Sequence, residues 1–376
     1  MNVVIAPDSF KESMRAVEAA QAITQGFAEG FPEANIHCYP MADGGEGTAQ
    51  TLLDALGGRW REITVCDPLR RPIRARYVLL DDGCAVIEMA TAAGLHLLKM
   101  DERNPLYTDT YGVGELIADA LDQGCRQIMI GLGGSATNDG GVGMLSALGW
   151  RFYDTHDQLL PPGGVALAKL AHIDAQGQHR ALHEAHFTVA CDVDHPLTGK
   201  RGASAVFARQ KGASDQDIVL LDQALSHFAQ LSADHVGYGF DQQAGAGAAG
   251  GLGFALCAYL QADICSGVAL VAEAVGLEQA IAQADLVITG EGRMDGQTAG
   301  GKVPHGVLEI AQRHGAPVIA LCGVLDADNM VLDQAGYTAI LPIIAQHTEP
   351  KALLQQGPAN LRRTAKQLAR LLQRFG

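Results

Sequence analysis

The chain has 376 residues, enough for two domains or for one large core carrying an insertion. Its hydrophobic content of 48% and mean hydropathy of +0.07 allow a substantial buried core and exclude a disordered chain. A formal net charge of −15 and a pI near 5.2 argue against nucleic acid or an anionic membrane as partner, and leave anions only to a locally basic pocket.

In chain order, Val3, Val4, Ile5 and Ala6 read as a first strand. Pro7, Asp8 and Ser9 turn it into a helix over 13–31, with Met14, Val17, Ala20 and Ile23 on one face. A second strand is expected at 36–39, followed by the turn Asp43-Gly44-Gly45 and a helix over 46–56. Residues 61–89 alternate apolar and polar, with turns at Asp67-Pro68 and Asp82-Gly83, and read as antiparallel strands. A helix over 113–122 precedes a strand at 127–130; a short helix over 142–148, a strand at 187–190 and a helix over 215–229 follow. The uncharged run 242–262 contains five glycines and reads as a buried helix rather than a membrane span. Strands at 286–289, 317–322 and 339–341, with helices over 304–314 and 359–375, complete the pattern. This β-α alternation predicts an α/β protein, with a mostly parallel sheet covered on both faces.

The chemistry gathers in glycine-rich stretches, and the 45 glycines exceed the usual ~7% without a collagen-like period. In the stretch from Asp285 to Lys302, the strand is followed by Gly290, Gly292, Gly296, Gly300 and Gly301, interleaved with Glu291, Asp295 and Lys302. Glycines let backbone N–H groups approach a phosphate, and a lysine can neutralise charge on a transferred phosphoryl group. Gly296, Gly301 and Lys302 fit most of a P-loop, but Val303 stands where Ser or Thr would meet Mg²⁺. Any metal would then fall to Glu291 or Asp295. A βα turn with a solvated lysine accounts for the same residues. The loop Gly131-Leu132-Gly133-Gly134-Ser135-Ala136-Thr137-Asn138-Asp139 also joins a strand to a helix, where an anion can be received, with Asp139 as N-cap the plainer alternative. Gly245, Gly247 and Gly250 match a dinucleotide pattern without the preceding strand, so close packing explains them better. Asp192 and Asp8 each end a strand near a lysine, which suits a general base, a metal ligand or a turn former. His179, His183 and His186 read as a solvated face. Eight cysteines without a C-x-x-C pair, Cys125, Cys191 and Cys322 among them, read as buried free thiols of a reducing compartment. The N-terminus lacks the features of a signal peptide, and a cytoplasmic location is expected.

The blocks APDSFKES, MADGGEGT, GLGGSATNDGG, ACDVDHPLTG, QKGA, GAGAAGGLG and TGEGRMDGQTAGGK, in this order, resemble the signature blocks of the type I glycerate kinase family over nearly the whole chain. His195 stands where the family has Asn, and Ala208-Arg209 where it has Gly-Pro. The resemblance implies ATP-dependent phosphorylation of D-glycerate at the 2-hydroxyl with Mg²⁺. It also implies a Rossmann-like or flavodoxin-like parallel-sheet domain with an inserted α+β domain. The first is expected over 1–60 and 265–376, with 105–150 also open to it, and the insert over 61–264. On this reading Asp192 is the candidate base, with Asp8 as competitor, and Lys302 a further catalytic residue. Ser9, Lys11, Arg71 and Asp43 are candidates for glycerate. Gly133, Gly134, Ser135, Thr137, Asn138, Gly290 and Gly292 are candidates for ATP phosphates, and Glu291 and Asp295 for Mg²⁺. Small molecules are the expected partners, and a homodimer stays open. Rival readings are a kinase for another small hydroxy acid, formation of 3-phosphoglycerate, a nicotinamide-dependent dehydrogenase and a small-acid binding protein.

Overall fold

The structure, a computed structural model, describes residues 1–296, 298, 301–326, 330–344 and 349–375. Gly300, read above as part of the glycine-rich stretch, lies outside the described residues. Among the described residues the strands are β1 (Asn2–Pro7), β2 (Asn35–Cys38), β3 (Arg59–Cys66), β4 (Pro72–Leu79), β5 (Cys84–Glu88), β6 (Gln127–Gly131), β7 (Arg151–Tyr153), β8 (His172–Asp174), β9 (His186–Ala190), β10 (Asp263–Cys265), β11 (Leu286–Met294), β12 (Val318–Leu325) and β13 (Ala339–Pro342). The chain divides into two compact units, Met1–Asp43 with Gln50–Leu56 and Val268–Gly376, and Gly44–Ala49 with Gly57–Gly267. Residues 105–150, left open to the first domain by the sequence, belong to the second unit, because β6 pairs with β5 and β9 there. Among the described residues no helix is long and apolar enough to cross a membrane.

The first unit is a five-stranded sheet in the order β13-β12-β11-β1-β2, parallel throughout. Renumbered by chain order within the unit this is 2-1-3-4-5, the flavodoxin-like doubly wound arrangement, whose switch point falls between β1 and β11. β1 is buried from Val3 to Pro7, as a strand covered on both faces must be. The helix Ala16–Gly30 buries Ala16, Ala20, Ile23 and Phe27, while Val17 is only partly covered. Its glycines set the spacing to the helix Gly357–Phe375: a Cβ on Gly26 would lie 2.1 Å from the carbonyl oxygen of Arg362, and one on Gly30 2.5 Å from that of Lys366. Glu29 then accepts hydrogen bonds from Arg362 and Lys366 across this contact.

β11 departs from the sequence reading. It does not end at Thr289 but continues to Met294, so Gly290 and Gly292 are strand residues. The ladder with β12 carries it on, pairing Gly290 with Leu321 and Met294 with Leu325, and glycine is required at 290, where a Cβ would sit 2.0 Å from the carbonyl oxygen of Leu321.

The second unit is built on a sheet in the order β10-β9-β6-β5-β4-β3. β10, β9, β6 and β5 are parallel, and β4 and β3 extend the sheet as antiparallel strands. β7 and β8 form a separate antiparallel pair. The helix Asp215–Val236 starts at Ser214, whose side chain and Asp217 cap each other. It brings Phe228 edge-on to Phe152 and Phe254 and parallel to Tyr259. Burial of such a ring contributes about 1.5–3 kcal/mol. The helix expected across 242–262 is confined to Leu252–Leu260. Before it the backbone takes left-handed turns at Gly250 and Gly251, because a Cβ on Gly250 would lie 2.0 Å from the carbonyl oxygen of Thr137. The dinucleotide-like glycines are therefore contact points between two loops.

Candidate active site

In the first unit, the candidate residues lie after β1 and along the last part of β11, beside the switch point between these strands. Asp8 follows β1 and donates its N–H to the carbonyl of Gly290 at 2.8 Å. Its carboxylate is 9% exposed and accepts the N–H of Ser9 at 2.6 Å. Burial raises its pKa from 3.8 to about 7, and the negative charges of Asp43 and Glu291 push the same way.

Glu291, on β11, is buried and its carboxyl is pushed above the ordinary range by that burial. It accepts the hydroxyl of Thr298 at 2.6 Å, and Asp295 donates its N–H to the same hydroxyl at 3.0 Å. Lys302 Nζ stands 3.7 Å from Glu291 and 3.9 Å from Asp295. Both distances exceed a hydrogen bond, so the ammonium is attracted by both carboxylates and tied to neither. Lys302 also opens the helix Val303–Arg313. Lys11 is exposed, and Asp43 half-buried.

Among the described residues no three His, Cys, Asp or Glu side chains stand in metal-holding geometry. Mg²⁺ is usually held by one or two carboxylates together with substrate phosphates and water. Glu291 and Asp295 provide hard oxygen donors of this kind, beside Asp8 and Asp43, whose mutual repulsion a cation would relieve.

In the second unit, the candidate residues lie at the carboxyl ends of β5, β6 and β9. Glu88, at the end of β5, accepts the N–H groups of Gly47 and Ala49 at 3.0 and 2.8 Å. Gly44 is held flat against β9, where a Cβ would come within 2.7 Å of that of Ala190. After β6 the chain exposes Gly133 and Gly134, the latter with φ +74°. Ser135 is buried beside them. The turn is pinned from both sides, by Leu95 N–H to Gly134 O at 2.9 Å and by Ala136 N–H to Ala93 O at 2.8 Å.

The other sequence candidates are buried, exposed or already engaged by neighbours. Thr137 and Asn138 are fully buried, and Asn138 donates to Ser204. Asp139 braces the turn before the following helix, whose N-cap is Gly141: it accepts the N–H groups of Thr110, Gly141 and Gly143 and the hydroxyl of Thr110. Asp192 is exposed and accepts the N–H of Gly267 at 3.0 Å. Arg71 is engaged by Asp67 and Glu102, each at 2.6 Å. Gly290 is buried inside its strand.

The profile of the glycerate kinase family matches residues 3–373. The chain belongs to the glycerate kinase family. A glycerate kinase of Bacillus subtilis (strain 168) is 49% identical, over 98% of this chain and 97% of the relative. A glycerate 2-kinase of Escherichia coli (strain K12) is 46% identical, over 92% of this chain and 91% of the relative. A crystal structure of a Salmonella typhimurium LT2 protein superposes with a TM-score of 0.91 at 46% identity, covering 100% of this chain and 98% of that one. The chain is accordingly a phosphotransferase acting on small molecules, and a kinase family takes ATP as co-substrate.

Three residues of this glycerate kinase family member were not candidates for the site in the sequence, Lys211 being noted only as a basic residue near Asp192. Glu88 carries no motif, and only its place at a strand end before an apolar helix hinted at use. Thr298 lies inside the glycine-rich stretch but reads there as a turn residue. Lys211 lies in a family block, yet nothing in QKGA says that its side chain is 1% exposed.

Proposed function

We propose that the protein phosphorylates D-glycerate at its 2-hydroxyl, consuming ATP and releasing 2-phosphoglycerate and ADP. The observation that carries the chemistry is the carboxylate of Asp8, buried at the switch point beside Glu291, with a pKa brought to about 7. A base is most effective when its pKa lies near the working pH, and Asp8 meets that condition through its surroundings. Asp192 is exposed and holds the N–H of Gly267, which suits a positioning role. We therefore assign the base to Asp8 rather than to Asp192.

In this mechanism the Asp8 carboxylate accepts the proton of the 2-hydroxyl as that oxygen bonds to the γ-phosphorus. The bond from phosphorus to the β–γ bridging oxygen breaks, and that oxygen leaves with ADP. Lys302, drawn loosely by Glu291 and Asp295, can turn its ammonium toward the transferred phosphoryl group and neutralise developing charge. When bound, Mg²⁺ supplies charge neutralisation for the nucleotide phosphates, and Glu291 and Asp295 are the residues that would hold it. The exposed turn at Gly133 and Gly134, with Ser135, offers backbone N–H groups to phosphate oxygens. Ser9, Lys11 and Asp43 are assigned to glycerate. Arg71 is left out, because two carboxylates already hold it. The two compact units serve as the two domains of the enzyme.

The test is ADP release by the purified protein, with Mg·ATP and a panel of small hydroxy acids. Release with D-glycerate far above that with the other acids is the expected result. Release that depends equally on another hydroxy acid would move the substrate assignment while leaving a kinase.

A further inference from the structure

Lys211 ends the turn Arg209–Lys211, directly before Gly212, whose φ is +102°. A Cβ on Gly212 would meet the carbonyl oxygen of Arg103 at 2.2 Å, so this turn is pressed onto the chain at Arg103. The lysine side chain is almost wholly enclosed, and its Nζ donates to the carbonyl of Thr137 at 2.7 Å. Around it, Thr137 Oγ1, Asn138 Oδ1 and Arg103 Nε are buried polar atoms without a partner among the described residues. The charged groups facing this locus are Asp139, already holding Thr110, Gly141 and Gly143, the Asp109–Arg70 pair beyond it, and Arg103. Burial pushes the lysine down to about 7, and the charge of Asp139 only partly restores it.

A buried ammonium in such surroundings costs stability, and an apolar side chain of similar volume would fill the space with less penalty. Positions at which a sequence accepts that cost are disproportionately functional. What the ammonium holds is informative. Thr137 lies two residues beyond Ser135, and the intervening Ala136 is tied at both its N–H and its carbonyl, the latter by the hydroxyl of Thr108 at 2.8 Å. The bond to Thr137 closes this set of ties and orients the peptide groups of the preceding turn.

We infer that Lys211 is a positioning residue for the kinase reaction, holding the turn at 133–135 through the Thr137 carbonyl in the shape that receives nucleotide phosphate. This rests on the phosphate-binding reading of that turn given above. It follows that Lys211 acts on the nucleotide side of the reaction and not on glycerate. It also follows that the lysine sets a signature in stability. The unfolded chain keeps the lysine proton up to about 10.5, whereas the folded chain gives it up near 7, so folding becomes more favourable as pH rises through that window.

The experiment is Lys211→Met, compared with the parent protein in steady-state kinetics and in melts at pH 7 and 9. The expected variant melts at or above the parent at pH 7 and loses the parent's gain in Tm toward pH 9. Its KM for ATP rises about tenfold or more, while KM for glycerate stays within about threefold. A residue that only supported folding would lower kcat by reducing the active fraction and leave both KM values in place; that result overturns the inference. Should Lys211→Met fail to fold, Lys211→Leu is read in the same way, and failure of both makes the lysine structural and overturns the inference. Gly133→Val is run beside them. If it raises KM for ATP and the Lys211 variants do not, this inference alone fails; if neither changes KM for ATP, the reading of the turn fails and takes this inference with it.

Discussion

Asp8→Asn separates catalysis from stability. The substitution keeps the shape of the side chain and removes both the negative charge and the proton acceptor. In the folded chain the carboxyl is raised from 3.8 to about 7 by burial, with Asp43 and Glu291 adding repulsion. The folded protein thus binds a proton between those values that the unfolded chain has lost, and stability falls as pH rises through the window. At ~1.4 kcal/mol per pH unit the loss is at most about 4 kcal/mol, complete above the folded pKa. The asparagine variant escapes that loss but leaves an amide N–H₂ to be satisfied, so a net gain of about 1–3 kcal/mol at pH 8 is expected. For a unit of this size such a gain raises Tm by roughly 2–10 °C. Activity should move the other way, with kcat down by about 10²–10⁴-fold, the usual worth of a general base. The parent's kcat/KM should fall as pH drops below about 7, where the base becomes protonated. The assays are thermal melts in metal-free buffer at pH 5 and pH 8, and initial rates of ADP release at saturating ATP. A variant that melts like the parent at both pH values and keeps near-normal kcat would refute the assignment.

The remaining predictions concern four other positions. Lys302→Met should reduce kcat/KM by about 10²-fold or more without unfolding the protein, because its side chain is partly exposed and bonded to neither carboxylate; near-normal kinetics would make it a solvated turn residue. Asp295→Asn should lose activity that extra Mg²⁺ or Mn²⁺ partly restores, whereas Asp192→Asn should cost less than Asp8→Asn and show no metal rescue; rescue of Asp192→Asn in a metal titration would exchange the two roles. Phe228→Ala should destabilise the second unit by about 3–5 kcal/mol in denaturant melts, since the ring is fully buried against Phe152, Phe254 and Tyr259; a loss below about 1 kcal/mol would mean that the aromatic cluster is not the core support it is taken for.

Much of the first unit was legible because its strands are short apolar runs bounded by turn residues, as in Val3 to Ala6. Parallel strands covered on both faces leave that mark in sequence. Asp8 could be placed at a strand end for the same reason, whereas Glu291, expected beyond its strand, lies within β11. The glycines misled in part. Gly290 was read as a residue that lets phosphate approach, yet it is needed where β12 passes close by. A glycine required by a neighbouring strand and one required by a ligand look alike along the chain. Thr137 and Lys211 show the complementary gap: polar side chains suggest exposure, but the contacts that bury them come from residues 74 positions apart. Likewise the proposed choice of Asp8 over Asp192 as base rests on burial and on neighbouring charges, and neither is written in local sequence.

The most direct test of the account is the identity of the phosphorylated carbon. The purified protein is incubated with D-glycerate and Mg·ATP, and the product is examined by phosphorus–proton correlated NMR. The account predicts a phosphate coupled to the single methine proton of C2, as in 2-phosphoglycerate. Coupling to the C3 methylene protons, or no glycerate-dependent product at all, would contradict it.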